Sequence, residues 1–329
     1  MRTPAKAYKE KDLKFLRLLC ISSVMQEKYE MKYQIQLLFL NMAVLMMYQC
    51  DAQPSQISGP FPQEPIRNHY KDLQQLSGEA RAEYAWMDDI VYPPSLYRNN
   101  TMLFALSKPV YLTSDQVEFL TKSVSFPANS SQQTRAELDF LLDLQAKRTS
   151  EQTSRVMEIA RIGYWPDAGM LESHPNYKQN LNNLFFEIQE VMGEHHVPND
   201  YPETVALLQG AMVDMRLMEF AVKYRLLRAR PYQLESKLNP LRKISSPSFA
   251  SGHTLWAYVQ AYLLAELIPQ KKREFIDLAY EIAFSRELMG VHYPSDEEAA
   301  RQLAYRMVWL MWNTQTFQED FSRAKKEWK

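Results

Sequence analysis

Three short stretches carry side chains whose types and spacing could do chemistry. In "RELMGVHYPSD", starting at Arg286, a histidine, His292, stands between an arginine and an aspartate, Asp296. An aspartate in the first turn of a following helix can hydrogen-bond one ring nitrogen of His292, which leaves the other as a nucleophile or base. In "SPSFASGHTLWAYVQAYLLAELIP", Ser251 and Gly252 stand at the amino end of a strongly apolar helix, with His253 beside them. Backbone N–H groups are unpaired at such an end and the helix dipole is positive there, so it attracts anions. Gly252 lets a ligand approach the backbone closely, having no side chain in the way. In "KYRLLRARP", Lys223 and Arg230 lie seven residues apart. That is about two turns, which predicts that both lie on nearly the same face of one helix that Pro231 then stops. Anion capture beside a positioned histidine is the chemistry on offer.

Each stretch alone has a plain structural alternative. Lys223 and Arg230 fit a solvated helix face. Ser251 fits a simple N-cap, and Asp296 fits a first-turn carboxylate that favours the helix dipole. Ser295 with Glu298 reads as a capping box for the helix that follows His292, and Gly290 as the close of the helix before it.

The elements that must position these residues read as helices. With only 8 glycines in 329 residues and 46% hydrophobic residues, the chain favours helices joined by Pro-marked turns, an all-α compact helical bundle. "SSQQTRAELDFLLDLQAKRT" places Leu138, Leu141, Leu142 and Gln145 at three- and four-residue spacing, the stripe of a buried helix face. Further helices are expected at about 150–162, 178–192, 203–229, 254–267, 271–289 and 296–315. "LQQLSGEARAEYAWMDDI" could form one helix within a Pro-, Ser- and Gln-rich extension, residues 53–107. The main domain is expected over residues 108–329.

A formal net charge of −1 and the lack of long basic runs argue against a nucleic-acid surface. Near the amino terminus, Lys32 precedes an apolar run from about Ile35 to Tyr48, and Cys50-Asp51-Ala52 supplies small residues at the spacing a signal peptidase needs. Residues 1–52 therefore read as a leader whose signal peptide runs from Met31 to Ala52, which predicts a periplasmic or secreted bacterial protein. Both cysteines, Cys20 and Cys50, precede that cleavage point, so the mature chain could form no disulfide. Beyond residue 52 the longest apolar run, Thr254 to Ile268, carries Glu266 and is too short to span a bilayer. His195 and His196 in "GEHHVPND" read as a surface loop, because adjacent residues in a turn point apart and no carboxylate spacing completes a metal site.

In chain order the motifs are Lys223-x6-Arg230-Pro231, Ser251-Gly252-His253, and Ser285-Arg286-x5-His292-x3-Asp296. This combination resembles the three-part motif of the phosphatidic-acid-phosphatase type 2 and vanadium-haloperoxidase superfamily. Within it, "KPVYLTSDQVEFL", "ELDFLLDLQAKRT" and "SGHTLWAYVQAYLLAELIP" are most similar to bacterial class A nonspecific acid phosphatases. The resemblance covers residues 108–315. It departs at Ala250, where the family usually has proline; Ala250 keeps its N–H, so a tuned loop is expected and not a dead site.

The resemblance implies a metal-independent enzyme with no cofactor that hydrolyses small phosphate monoesters and is sensitive to vanadate. Lys223, Arg230, Arg286, Ser251 and Gly252 would bind the phosphate. His292 would attack phosphorus to give a phosphohistidine, Asp296 would hold its imidazole, and His253 would protonate the leaving alkoxide and then help water attack. The same pocket could serve a vanadium-dependent haloperoxidase, or a soluble lipid-phosphate or diphosphate phosphatase. A homo-oligomer is left open.

Overall fold

The computed structural model describes residues 66–96, 105, 108–160 and 186–329. The leader with its signal peptide, and the first part of the helix expected at 178–192, lie outside the described residues.

Local sequence explains where the helices begin. Helix α1 spans Asn68–Leu73 and is followed by a 3-10 turn, Ala82–Met87. Helices α2 (Ser114–Lys122) and α4 (Ser150–Ile159) each open on a reciprocal cap, Thr113 with Gln116 and Thr149 with Gln152. Between them α3, Gln132–Lys147, is capped by Ser131, whose Oγ accepts the Thr134 N–H at 3.0 Å. Leu138 and Leu141 of the expected stripe are buried. After α5, Phe186–Met192, comes the 25-residue α6, Pro202–Leu226. A short α7, Pro231–Leu234, leads through a loop to α8, Gly252–Leu267. Helices α9 (Lys272–Leu288), α10 (Pro294–Trp312) and α11 (Gln315–Ala324) complete the bundle. Among the described residues there is no β-strand, only an isolated antiparallel bridge between Val91 and Arg228.

Helix α8 is the axis. Fourteen of its sixteen residues are buried, Trp256, Tyr258 and Tyr262 included, so it is apolar all round, as a helix enclosed by neighbours must be. It packs against α6, α9 and α10. Each of its enclosed leucines contributes about 1.5–3 kcal/mol relative to an exposed one. None of the described helices is long and apolar enough to cross a membrane.

The expected helix over "LQQLSGEARAEYAWMDDI" does not form. Helix α1 ends at Leu73, and the carbonyls of Ser77 and Gly78 accept the N–H groups of Gln133 and Ala128. Backbone groups committed to the start of α3 cannot also close a helical ladder. The described part of the extension is therefore built against the bundle. Arg67 pairs with Asp277 at 3.2 Å and lies over Tyr280, while Tyr92 donates its N–H to the Leu227 carbonyl at 2.8 Å.

Candidate active site

Lys223 lies on the last turn of α6, buried, and its Nζ donates to the carbonyls of Pro247 (2.8 Å) and Ser248 (3.1 Å). Leu227 then takes a left-handed conformation, φ 51°, and ends the helix. Arg230 thus does not share a helix with Lys223, contrary to the spacing argument. Pro231 does not stop α6 either; it is the first residue of α7, where a missing N–H costs nothing. The turn at Leu227 folds Arg230 back toward the loop that Lys223 holds. Its guanidinium donates to Ser246 O at 2.9 Å, Val291 O at 2.8 Å and His292 Nε2 at 2.9 Å.

His292 sits in the short connection between α9 and α10. Gly290 (φ 75°) turns the chain there, as expected of the glycine that closes α9. The next helix begins earlier than Ser295 and Glu298 suggested. Its N-cap is Tyr293 and Pro294 is its first residue, so Asp296 is the residue that reaches back, accepting the Tyr293 N–H at 3.1 Å. Ser295 and Glu298 form no capping box. Ser295 bonds Glu137, and Glu298 pairs with Arg301 at 2.6 Å. The preference of proline for the first helical position decided the boundary.

The protonation of His292 follows from its partners. Asp296 Oδ2 lies 3.0 Å from Nδ1. A guanidinium can only donate, so the Arg230 contact fixes Nε2 as an acceptor and places the proton on Nδ1, facing the carboxylate. Burial and the Arg230 charge hold the His292 pKa well below its usual value despite Asp296, so the ring is neutral.

Asp296 is fully buried and saturated with donors. Oδ2 accepts from Ser248 Oγ at 2.5 Å as well as from His292 and Tyr293 N–H, and Oδ1 accepts from Arg228 at 2.6 Å. Burial alone would raise its pKa, but the Arg228 charge and the bonds from His292 and Ser248 hold it far below the carboxylate range.

His253 is partly exposed, although its Nε2 is enclosed. Burial, then the charge of Arg286, holds its pKa well below the usual value and keeps it neutral. Arg286 is buried on the last turn of α9. Burial and the neighbouring Arg230 push Lys223 down to about 7. Ser251 is the N-cap of α8, as expected, but its Oγ is 3.1 Å from Thr254 Oγ1 and not on a backbone N–H; Thr254 in turn bonds Glu297. Gly252 is the first residue of that helix. The bond from Phe249 to Ala250 is cis. His195 is exposed and His196 stacks on Tyr201 and Trp328, while no three potential metal ligands cluster among the described residues.

Sequence reasoning missed Arg228, Ser248 and Glu137, which surround Asp296. Arg228 and Ser248 sat inside the motif stretches. Glu137 gave one signal, a carboxylate beside Leu138 on the buried stripe of α3, where an unpaired charge would be costly.

A 29% identical relative is the non-specific acid phosphatase of Providencia stuartii, aligned over 144 residues that make up 42% of this chain and 58% of that protein. The non-specific acid phosphatase of Salmonella typhimurium is 27% identical over 173 residues, 48% of this chain and 68% of the relative. The chain thus spans little more than half to two thirds of the curated relatives it matches. Among solved structures, a bacterial vanadium-dependent iodoperoxidase shares the fold with a TM-score of 0.50 at 17% identity, over 75% of this chain and 64% of that one. The model of the PAP2 superfamily matches residues 204–320, the span that holds Lys223, Arg230, Ser251, Gly252, His253, Arg286, His292 and Asp296.

Proposed function

We propose that this protein is a phosphatase that hydrolyses small phosphate monoesters through a phosphohistidine on His292, without metal or cofactor. The observation that carries the reading is the state of His292: neutral, with its proton on Nδ1 against Asp296 and its Nε2 lone pair turned to Arg230. A nitrogen whose lone pair meets a cation borders the place an anionic phosphoryl group would take, and the lone pair is released for attack when Arg230 turns its N–H to a phosphate oxygen.

A phosphate monoester brings up to two negative charges to Lys223, Arg230 and Arg286. Those cations, with the N–H groups at the start of α8, stabilise the equatorial oxygens as charge shifts in the transition state. The Ser251 hydroxyl contributes once it turns from Thr254. Nε2 attacks phosphorus, the P–O bond to the leaving group breaks, and Asp296 supports the cationic ring without taking its proton. His253, partly open to solvent, serves in this reading as the acid for the leaving group. Since His253 is neutral before substrate binds, its proton arrives with the substrate monoanion, which gives activity an acidic bias. It passes that proton to the alkoxide, then takes one from the water that cleaves the phosphohistidine. Inorganic phosphate leaves and His292 is restored.

The pattern of Met31–Ala52 supports export before the enzyme acts, with residues 53–107 as an extension of the domain at 108–329.

The test is a panel of phosphate monoesters assayed with and without vanadate, using His292→Ala as the blank. Hydrolysis that needs no added vanadate, is inhibited by it and disappears in the blank is the expected result. Halide oxidation that depends on vanadate, or hydrolysis that survives in the blank, would overturn the reading.

A further inference from the structure

Behind Asp296 lies a buried ion-pair network that crosses out of the PAP2 segment. Arg228, between Lys223 and Arg230 in chain order, is 1% exposed. Its NH1 donates to Asp296 Oδ1 at 2.6 Å and to Ser295 Oγ at 2.8 Å. Its NH2 lies 3.4 Å from Oε2 of Glu137, a fully buried carboxylate on α3. Glu137 also accepts the N–H and the hydroxyl of Ser295, at 3.0 and 2.9 Å, and so grips the first turn of α10. The guanidinium plane is fixed from its faces as well, 3.8 Å from the Tyr293 ring centroid and 4.9 Å from that of Phe126.

We propose that Arg228 and Glu137 are positioning residues for the reaction: Glu137 holds Arg228 and the start of α10, and Arg228 keeps Asp296 anionic and aimed at Nδ1 of His292. The inference rests on His292 being the nucleophile. A pair present only for stability would have no need to favour one carboxylate, yet Arg228 is 0.8 Å closer to Asp296 than to Glu137. The carboxyl groups diverge accordingly. Asp296 is held very acidic, while burial pushes Glu137 up to about 7 against the opposing Arg228 charge. The cation is spent on the carboxylate that faces the histidine. Only a planar fork reaches Asp296, Ser295 and Glu137 together; a lysine ammonium at the end of a flexible stem cannot.

Two substitutions and one spectroscopic measurement test this. Arg228→Lys keeps the charge and loses the fork. Its kcat on a small phosphate ester is expected to fall about 100-fold with KM nearly unchanged, the cost of a histidine misplaced by a fraction of an ångström. Glu137→Gln keeps shape and removes charge, and is expected to lose about 10-fold in kcat, again with KM held. In both, nitrogen NMR of the resting protein should show the hydrogen bond from His292 Nδ1–H to Asp296 weakened, as a shift of the Nδ1 resonance from its position in the wild type. That measurement needs no turnover, so it still decides the wiring if the wild type hydrolyses no phosphate ester and the functional reading fails. If either substitution leaves the Nδ1 resonance at its wild-type position, the proposal is wrong. If Arg228→Lys does not fold, the isosteric Glu137→Gln decides alone, an unchanged Nδ1 resonance overturning the proposal.

Discussion

The two nitrogens of His292 look into opposite surroundings. On the Nε2 side stand cations, Arg230 in contact and Lys223 near enough for its charge to act on the ring, both held by backbone carbonyls that a phosphate could replace or supplement. On the Nδ1 side stand carboxylates, Asp296 and behind it Glu137, whose acceptor positions are filled by Arg228, Ser248, Ser295 and backbone N–H groups. The first side gathers positive charge, and on the second the carboxylates are paired with donors. The two sides therefore differ in a property that can be measured: the first should respond to added anions, the second to substitution.

The support side is where the largest effect is expected. Asp296→Asn keeps the shape but cannot hold the proton on Nδ1, because an amide presents either a donor or a weak acceptor there. Loss of the tautomer should lower kcat by about three orders of magnitude, as removal of an orienting carboxylate does elsewhere. Steady-state kinetics would show it, and a loss of less than about tenfold would mean that the carboxylate is a helix-cap residue after all.

On the binding side the effect is smaller and depends on pH. Lys223→Met should reduce kcat/KM by about 10- to 100-fold, the worth of a charge-assisted hydrogen bond. The pKa of Lys223 adds a sharper test. Because burial and Arg230 bring it down to about 7, the ammonium is charged below that pH and neutral above it. Sulfate keeps one charge state between about pH 6 and 9, so its inhibition constant reports the site and not the ligand. Inhibition by sulfate should weaken as pH rises through about 7 in the wild type and stay level in Lys223→Arg, whose guanidinium does not titrate there. Equal profiles would place the titration on another group.

How much of this was legible in the sequence follows the same division. The binding side was readable because its groups lie in short motifs whose spacing carries meaning: Lys223 with Arg230, Ser251 to His253, and Arg286 with His292 and Asp296. Even there the local structure was misjudged, since the left-handed turn at Leu227 has no marker glycine and Pro294 outcompeted Ser295 for the start of α10. The support side was barely readable. Glu137 and Ser295 are 158 residues apart in the chain, and only packing of α3 against the start of α10 brings them together. Helix positions were evident from periodicity, whereas the break after α1 was set by hydrogen bonds that the carbonyls of Ser77 and Gly78 accept from a segment some fifty residues on.

The extension offers the smallest effect and bounds how far the comparison reaches. His69 of α1 stacks on Phe140 of α3 and lies 3.3 Å from Glu287, next in sequence to Arg286. Burial would lower the His69 pKa, but the hydrogen bond and charge of Glu287 outweigh it and raise the value. Burial raises that of Glu287 too. Both groups then bind protons more readily in the folded state, so folding is favoured at low pH. The stabilisation from His69 is fully present below its unfolded value of about 6.5 and is lost as pH rises through the raised one. The imidazole is partly exposed, which limits the effect to about 0.5–1 kcal/mol, or a shift of about 2 °C. Melting curves of wild type and His69→Gln should therefore differ at about pH 5.5 and converge by about pH 8.5. Activity of the variant should stay near that of the wild type, because the His69 ring meets Glu287, one residue beyond Arg286, and bonds neither His292, Asp296 nor Arg228. A large loss of kcat in His69→Gln would extend the support side of the histidine into the extension.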